Sequence, residues 1–153
     1  MARFRTEGLD ELIADLDRMG QTTGELAERI LMAGAEQVKR AWRKSADIHK
    51  LRLTGQLIDS IGYPRKPRRI RDLLAIDIYP QGMSTYTEDP KTGKRIERKK
   101  PVRNAEVAFI NHYGTSKNPG SRWVDTADDL AGPTVEAEAL RIYDEWLGQH
   151  KMK

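Results

Sequence analysis

The sequence predicts an α+β fold: a small antiparallel sheet with a long basic hairpin, packed against an N-terminal helical pair and a C-terminal helix. Aliphatic residues recur at helical spacing through the first third of the chain and again near its C-terminal end. Between these stretches, short alternating apolar runs are punctuated by Gly and Pro, the pattern of paired strands. The length, 153 residues, suits one domain over 1–153, because folding at this size buries roughly 68–70% of the unfolded surface. An apolar share of 38% against a charged share of 33% implies a thin core and faces that find partners on other molecules.

Leu9, Leu12, Ile13, Leu16 and Met19 predict an amphipathic helix from Gly8 to about Arg18, closed by Gly20. Thr22 or Thr23 then caps a longer helix whose inner side carries Leu26, Ile30, Ala33, Gly34, Val38, Ala41 and Trp42. Its small trio Ala33-Gly34-Ala35 allows close approach of another backbone. The helix fades over Ser45 to Lys50.

The next stretch, Leu53-Thr54-Gly55-Gln56-Leu57-Ile58-Asp59-Ser60-Ile61, reads as a short helix capped by Thr54. Leu57, Ile58 and Ile61 form its apolar stripe, and Gly62 with Pro64 ends it. Its place is to join two hydrophobic regions. Beyond it, Pro64 and Pro67 with Arg65, Lys66, Arg68, Arg69 and Arg71 predict an extended, solvated connector. Leu74, Ile76 and Ile78 alternate with Leu73, Ala75 and Asp77 as a strand, stopped by Pro80-Gln81-Gly82.

Residues 83–100 read as a protruding hairpin. Asp89-Pro90-Lys91-Thr92-Gly93 places proline and glycine where a turn requires them. Only Tyr86 and Ile96 could pair apolar groups across it, and a lone two-stranded hairpin is marginal in water. Ordering in an assembly is therefore the expectation. Ala105, Val107 and Phe109 alternate with Glu106, Ala108 and Ile110, predicting a strand antiparallel to Leu73–Tyr79 and ended by Gly114. After a loop from Ser116 to Ser121, Trp123, Val124 and Ala127 re-enter the core ahead of a helical turn. Gly132-Pro133 breaks and restarts a last helix with Val135, Ala139, Ile142, Tyr143, Trp146 and Leu147 inward, and Gly148 ends it. The Lys151–Lys153 tail is expected to fray. Trp42, Trp123 and Trp146 are expected as core anchors.

The net charge of +4 hides segregation. Glu7, Asp10, Glu11, Asp15 and Asp17 make the start acidic. The connector and Lys91, Lys94, Arg95, Arg98, Lys99 and Lys100 make the middle basic. Asp125, Asp128, Asp129, Glu136, Glu138, Asp144 and Glu145 make the end acidic again. Separated blocks of opposite sign suit a subunit that docks on copies of itself. The basic middle could alternatively contact DNA phosphates, with Tyr63 or Tyr79 stacking on a base, although no helix-turn-helix, zinc finger or aromatic sheet motif accompanies it. No run approaches the ~18 apolar residues of a membrane span. Met1-Ala2-Arg3-Phe4-Arg5 lacks the apolar stretch of a signal peptide, and cysteine is absent, so a cytosolic origin is expected.

Residues arranged for catalysis are scarce. His49, His112 and His150 have no metal-ligand spacing, so no metal or cofactor is expected. Asp59, Ser60 and His112 could nominally make a triad, but no nucleophile-elbow glycines flank Ser60. No phosphate-cradling glycine pattern occurs. The residues give no argument for an enzyme.

Thr54-Gly55-x-Leu57-x-x-Ser60-Ile61, followed by Phe109-Ile110-Asn111-His112-Tyr113-Gly114-Thr115 and the pair Trp123-Val124, resembles the neck, or head–tail connector and tail-completion, proteins of long-tailed bacteriophages of the siphophage type. The order of these pieces carries the likeness, with Thr54, Gly55, Leu57, Ser60, Ile61, Tyr113, Gly114 and Thr115 as the shared motif. The resemblance implies a non-enzymatic virion protein forming a homo-oligomeric ring, expected to be six-fold. Such a ring joins the head-side connector to the tail tube or tail terminator around the DNA channel. It also implies assembly in the host cytoplasm and residence at the tail top.

Overall fold

The structure, a computed structural model, describes residues 23–51 and 55–149. In chain order the elements are α1 (Thr23–Ile48), α2 (Gln56–Ser60), β1 (Ile61–Gly62), β2 (Arg68–Ile70), β3 (Leu73–Ala75), β4 (Tyr79–Pro80), β5 (Met83–Glu88), β6 (Arg95–Arg103), α3 (Asn104–Tyr113) and α4 (Trp123–Gln149). The fold is α+β, with long N- and C-terminal helices and a β-hairpin. The sequence-predicted helix Gly8–Arg18, the Thr22 and Thr54 caps and the Lys151–Lys153 tail lie outside the described residues.

At 1.5 Å rise per residue, α1 and α4 are each about 40 Å long. They pack antiparallel. Leu26 and Ile30 near the start of α1 cluster with Ala139, Ile142 and Trp146 near the end of α4. At the opposite end, Val38, Ala41, Trp42 and Ala46 cluster with Trp123, Ala127, Ala131 and Val135. Small residues set the separation. A Cβ placed on Gly34 would lie 3.4 Å from Val135 Cγ1, so the mid-helix glycine permits the close approach expected of it. Trp42 and Trp123 meet edge to face at 5.2 Å between centroids, an arrangement that aromatic quadrupoles favour. The Ser45 hydroxyl donates to the Trp123 carbonyl, so this buried polar group is satisfied.

Three expectations are corrected. The helix α4 runs unbroken through Gly132-Pro133. Asp129 and Pro133 both face solvent, so water can replace the hydrogen bond that proline cannot donate, while α1 braces the buried side. Residues 104–113 form helix α3 and not a strand: Asn104, Ala108 and His112 are its buried positions, spaced i, i+4, i+8. A nearly continuous apolar run fits either period, and the tertiary contacts decide it. The Trp123 indole N–H donates to Ala108 O (3.3 Å), and this bond, with the burial of Ala108, fits a helix lying across the start of α4.

The third correction concerns the sheet. Among the described residues there are three separate two-stranded antiparallel ladders, β1–β4, β2–β3 and β5–β6. The basic connector is itself paired, with Arg68 opposite Ala75, Arg69 opposite Leu74 and Ile70 opposite Leu73. Ile76 and Ile78 beyond it are buried, in keeping with the alternation, and together with Leu57, Ile58 and Ile61 they join the larger core cluster. The Tyr63 hydroxyl donates to Glu36 Oε2 at 2.7 Å and ties the chain after β1 to α1. Burial and this carboxylate push the Tyr63 phenol up to about 12.

Trp123 has no exposed surface and touches α1, α3 and Ser45. Trp123→Ala is expected to cost about 3–5 kcal/mol in urea unfolding with an unchanged denaturant slope. A loss within about 0.5 kcal/mol, the range of surface changes, contradicts its role as the anchor.

Candidate assembly interface

The short helix α2 connects body and arm. Gly55, at φ +80°, turns the chain into it. Leu57 and Ile58 point inward, and the Ser60 hydroxyl donates to Leu57 O (2.7 Å) within the helix. Gln56 points the other way. Its Oε1 accepts from the N–H groups of Thr85 (2.9 Å) and Tyr86 (3.0 Å), and its Nε2 donates to Thr85 Oγ1 (2.8 Å). Those amides sit where the β5–β6 register shifts between Ser84 and Tyr86. Gln56 thus serves backbone groups that a bulge removes from the ladder. Asn104 Nδ2 donates to Gln81 O (2.8 Å) and closes the base of the hairpin, and Arg98 Nε donates to Tyr86 O (3.0 Å) between the arm's two strands.

Beyond that base the arm is polar. Tyr86 stands opposite Glu97 and Ile96 opposite Thr87, so the two apolar residues do not face each other. Tyr86 is instead covered by the Arg95 guanidinium, 3.7 Å from its ring centre. Lys91, Lys94, Lys99 and Lys100 are exposed. On the second, shorter arm, β2–β3, Arg68 pairs with Asp77 (2.8 Å). Arg65, Lys66, Arg69 and Arg71 are exposed and make no ion pair among the described residues.

The Tyr113-Gly114-Thr115 motif closes α3. Gly114 (φ +85°) touches the returning chain so closely that an added Cβ would lie 2.4 Å from Gly120 N and 2.6 Å from Asn118 O. A Cβ on Gly120 would meet His112 O at 2.2 Å. Both positions demand glycine, and the Thr115 hydroxyl accepts from the N–H groups of Lys117 (3.3 Å) and Asn118 (3.2 Å) to hold the loop. The loop delivers the chain to α4, where His112 Nδ1 accepts from the Val124 N–H at 3.3 Å. That bond puts the proton of the neutral ring on Nε2, 3.8 Å from Asp125 Oδ1. Ser60 and His112 therefore engage different partners, one in its own helix and one at the start of α4.

Sequence reasoning missed an apolar groove, because it assigned α3 to a strand. Phe109, Ile110 and Tyr113 occupy adjacent positions on one exposed helix face, with Phe109 61% and Tyr113 58% accessible. Their spacing would have shown this face had the segment been read at the helical period. Phe109 and Tyr113, with Tyr79, Pro80, Val124 and Trp42, line a half-open space of about 170 Å³. Beside it on α4 stand Asp125, 3.8 Å from the groove residue His112, and Asp128. Burial, then repulsion from Asp125 and Asp129, raises the Asp128 carboxyl above its ordinary range. Farther along the same helix, Glu136 and Asp144 are exposed without an ion pair among the described residues, while Arg141 bridges Glu138 and Glu145 at 2.7 Å each.

Among the described residues, no group of three or more His, Asp or Glu could hold a metal ion, and no helix is long and apolar enough to cross a membrane. Comparison with protein-family models, with curated proteins and with solved structures found no match.

Gln56→Ala should leave the Thr85 and Tyr86 amides without acceptors, at about 1–3 kcal/mol locally. Hydrogen exchange should quicken at those amides while the α1–α4 core keeps its protection; unchanged exchange would show that the clamp is dispensable. A raised folded-state pKa means that Asp128 opposes folding once ionised and ceases to do so when protonated. Asp128→Asn is therefore expected to raise Tm near neutral pH, with the gain vanishing as pH falls below the ordinary carboxylate range. A gain that persists in acid contradicts the electrostatic cause.

Proposed function

We propose that the chain is a structural subunit of a phage head–tail junction, assembling as a ring that joins the head-side connector to the tail tube or terminator around the DNA channel. The observation that carries this reading is the set of unsatisfied surfaces on one small body. Two arms present basic residues, most of them without acidic partners. One helix presents Asp128, Asp129, Glu136 and Asp144 without a cation paired to them among the described residues. An apolar helix face stands open between aromatic walls. A chain meant to act alone gains nothing from such surfaces, and self-repelling carboxylates cost it stability. Complementary faces at different places on one subunit generate closed rings when the rotation closes. The Thr54 to Ile61 and Tyr113 to Thr115 motifs give the likeness its direction, and the work is mechanical, with no bond made or broken.

A second reading is favoured by the arms alone: a DNA-binding or packaging accessory whose cations neutralise phosphate. It requires duplex affinity falling steeply with salt, with a slope of about −0.9 per phosphate neutralised.

Light scattering and electron microscopy of the purified chain should show a ring of identical copies, six-fold in the expected case. Shortening the β5–β6 arm beyond its Gln56 clamp, by replacing residues 88–95 with a two-residue turn, should preserve the fold and weaken assembly or partner attachment. A persistent monomer that binds neither head nor tail components overturns the reading. Tight salt-sensitive DNA binding by that monomer would favour the accessory role.

A further inference from the structure

We infer that the β2–β3 arm of one copy seats Leu73 in the apolar groove beside α3 of the next copy, with Arg71 reaching the aspartates of α4. This rests on the ring reading and gives it a specific contact. The arm and the groove have matching chemistry on opposite counts. Leu73 is 56% exposed, an aliphatic side chain held out at a hairpin tip where the chain's own core does not cover it. Its turn, Arg71-Asp72, holds Arg71 at φ +54°, a left-handed conformation that a side chain rarely adopts. Arg71, in the turn two residues before the leucine, is exposed and pairs with no acid among the described residues, while Arg69, opposite Leu74, lies on the other face of the ladder.

The groove is the complement. A space of about 170 Å³ suits one branched aliphatic side chain, since cavities near 150 Å³ hold a benzene-sized group. Its walls are aromatic and its α4 side is acidic, with Asp125 beside His112 and Asp128 crowded by its neighbours. Arg122, just before α4, lies over Tyr113 at 5.4 Å and makes no ion pair with those aspartates among the described residues. The longer arm does not supply this knob. Its tip, Asp89 to Gly93, has Pro90 as its only apolar side chain, and its exposed aliphatic, Ile96, lies along β6 opposite Thr87 and not at the tip. The knob and the hole lie at different places on one chain, so the contact is head-to-tail and can propagate around a ring. The apolar part supplies burial, and the charged part fixes register against wrong pairings.

The chain has no cysteine, so introduced thiols report cleanly. Leu73→Cys and Phe109→Cys chains, mixed and mildly oxidised, should give a mixed disulfide that neither variant gives alone. The two substitutions in one chain should give a ladder of covalent oligomers ending at the ring size seen for the cysteine-free protein. Adding Arg71→Glu should abolish the ladder, and adding Asp128→Lys as well should restore it. Assembly of the cysteine-free protein without any 73–109 bridge overturns this contact and leaves the ring reading standing. A chain monomeric throughout overturns both. A bridge from Leu12→Cys to Phe109→Cys in place of the Leu73 one assigns the groove to the N-terminal segment and also overturns the proposal.

Discussion

Trp123 stacked edge-on against Trp42 fixes how the two long helices meet, and much of the remaining architecture follows from that junction. Because the seam beyond it is lined by Gly34, Ala35, Ala127, Ala131 and Ala139, the helices approach closely and little volume is left to fill. Two antiparallel helices bury only one stripe each, so the other elements can add to this core only at the Trp end. The short helix α2 and the Ile76 and Ile78 segment do so, and α3 is fastened there through its bond to the Trp123 indole. The result is a small core with strands attached at one end, not a sheet that carries its own hydrophobic face.

That economy explains the surface. Two-stranded ladders have no face to bury and survive only when fastened to something else. Gln56 and Asn104 fasten the long arm with side-chain hydrogen bonds, Arg98 braces its two strands, and Arg68 with Asp77 fastens the short one. Outside those points lysine and arginine outnumber the few acids of the arms, Asp72, Glu88, Asp89 and Glu97. Charge that would be wasteful in a solitary protein is useful where a neighbour carries the opposite sign, as α4 does along its outer face. Such pairs steer encounter and orientation more than they add affinity, and they weaken with salt. Apolar burial in the α3 groove would supply the affinity that exposed ion pairs do not.

The glycines of the loop after α3 show a different constraint. Gly114 and Gly120 permit backbone to lie on backbone, which places His112 against the first turn of α4. The Tyr113-Gly114-Thr115 motif is thus the geometry of a tight return, with Tyr113 left exposed at the edge of the groove. A structural requirement and a surface for contact share three residues.

The amphipathic spacing of α1, the alanines and tryptophans of α4, the turn at Asp89 to Gly93 and the separation of charge are local or periodic properties, and the residues alone determined them. Each depends on side chains within a few positions of one another, so no knowledge of the fold is required. Tertiary contact alone decided that residues 104–113 are helical, because their apolar run satisfies two periods and Trp123 and the start of α4 favour one. It alone carried α4 through Pro133, since the proline falls on the solvent side while α1 supports the other. The role of Gln56 was equally hidden, as its partners lie 29 and 30 positions away. A side chain that serves a distant backbone leaves no trace in its own neighbourhood, and the groove, built from four separate segments of the chain, exists only once they are brought together.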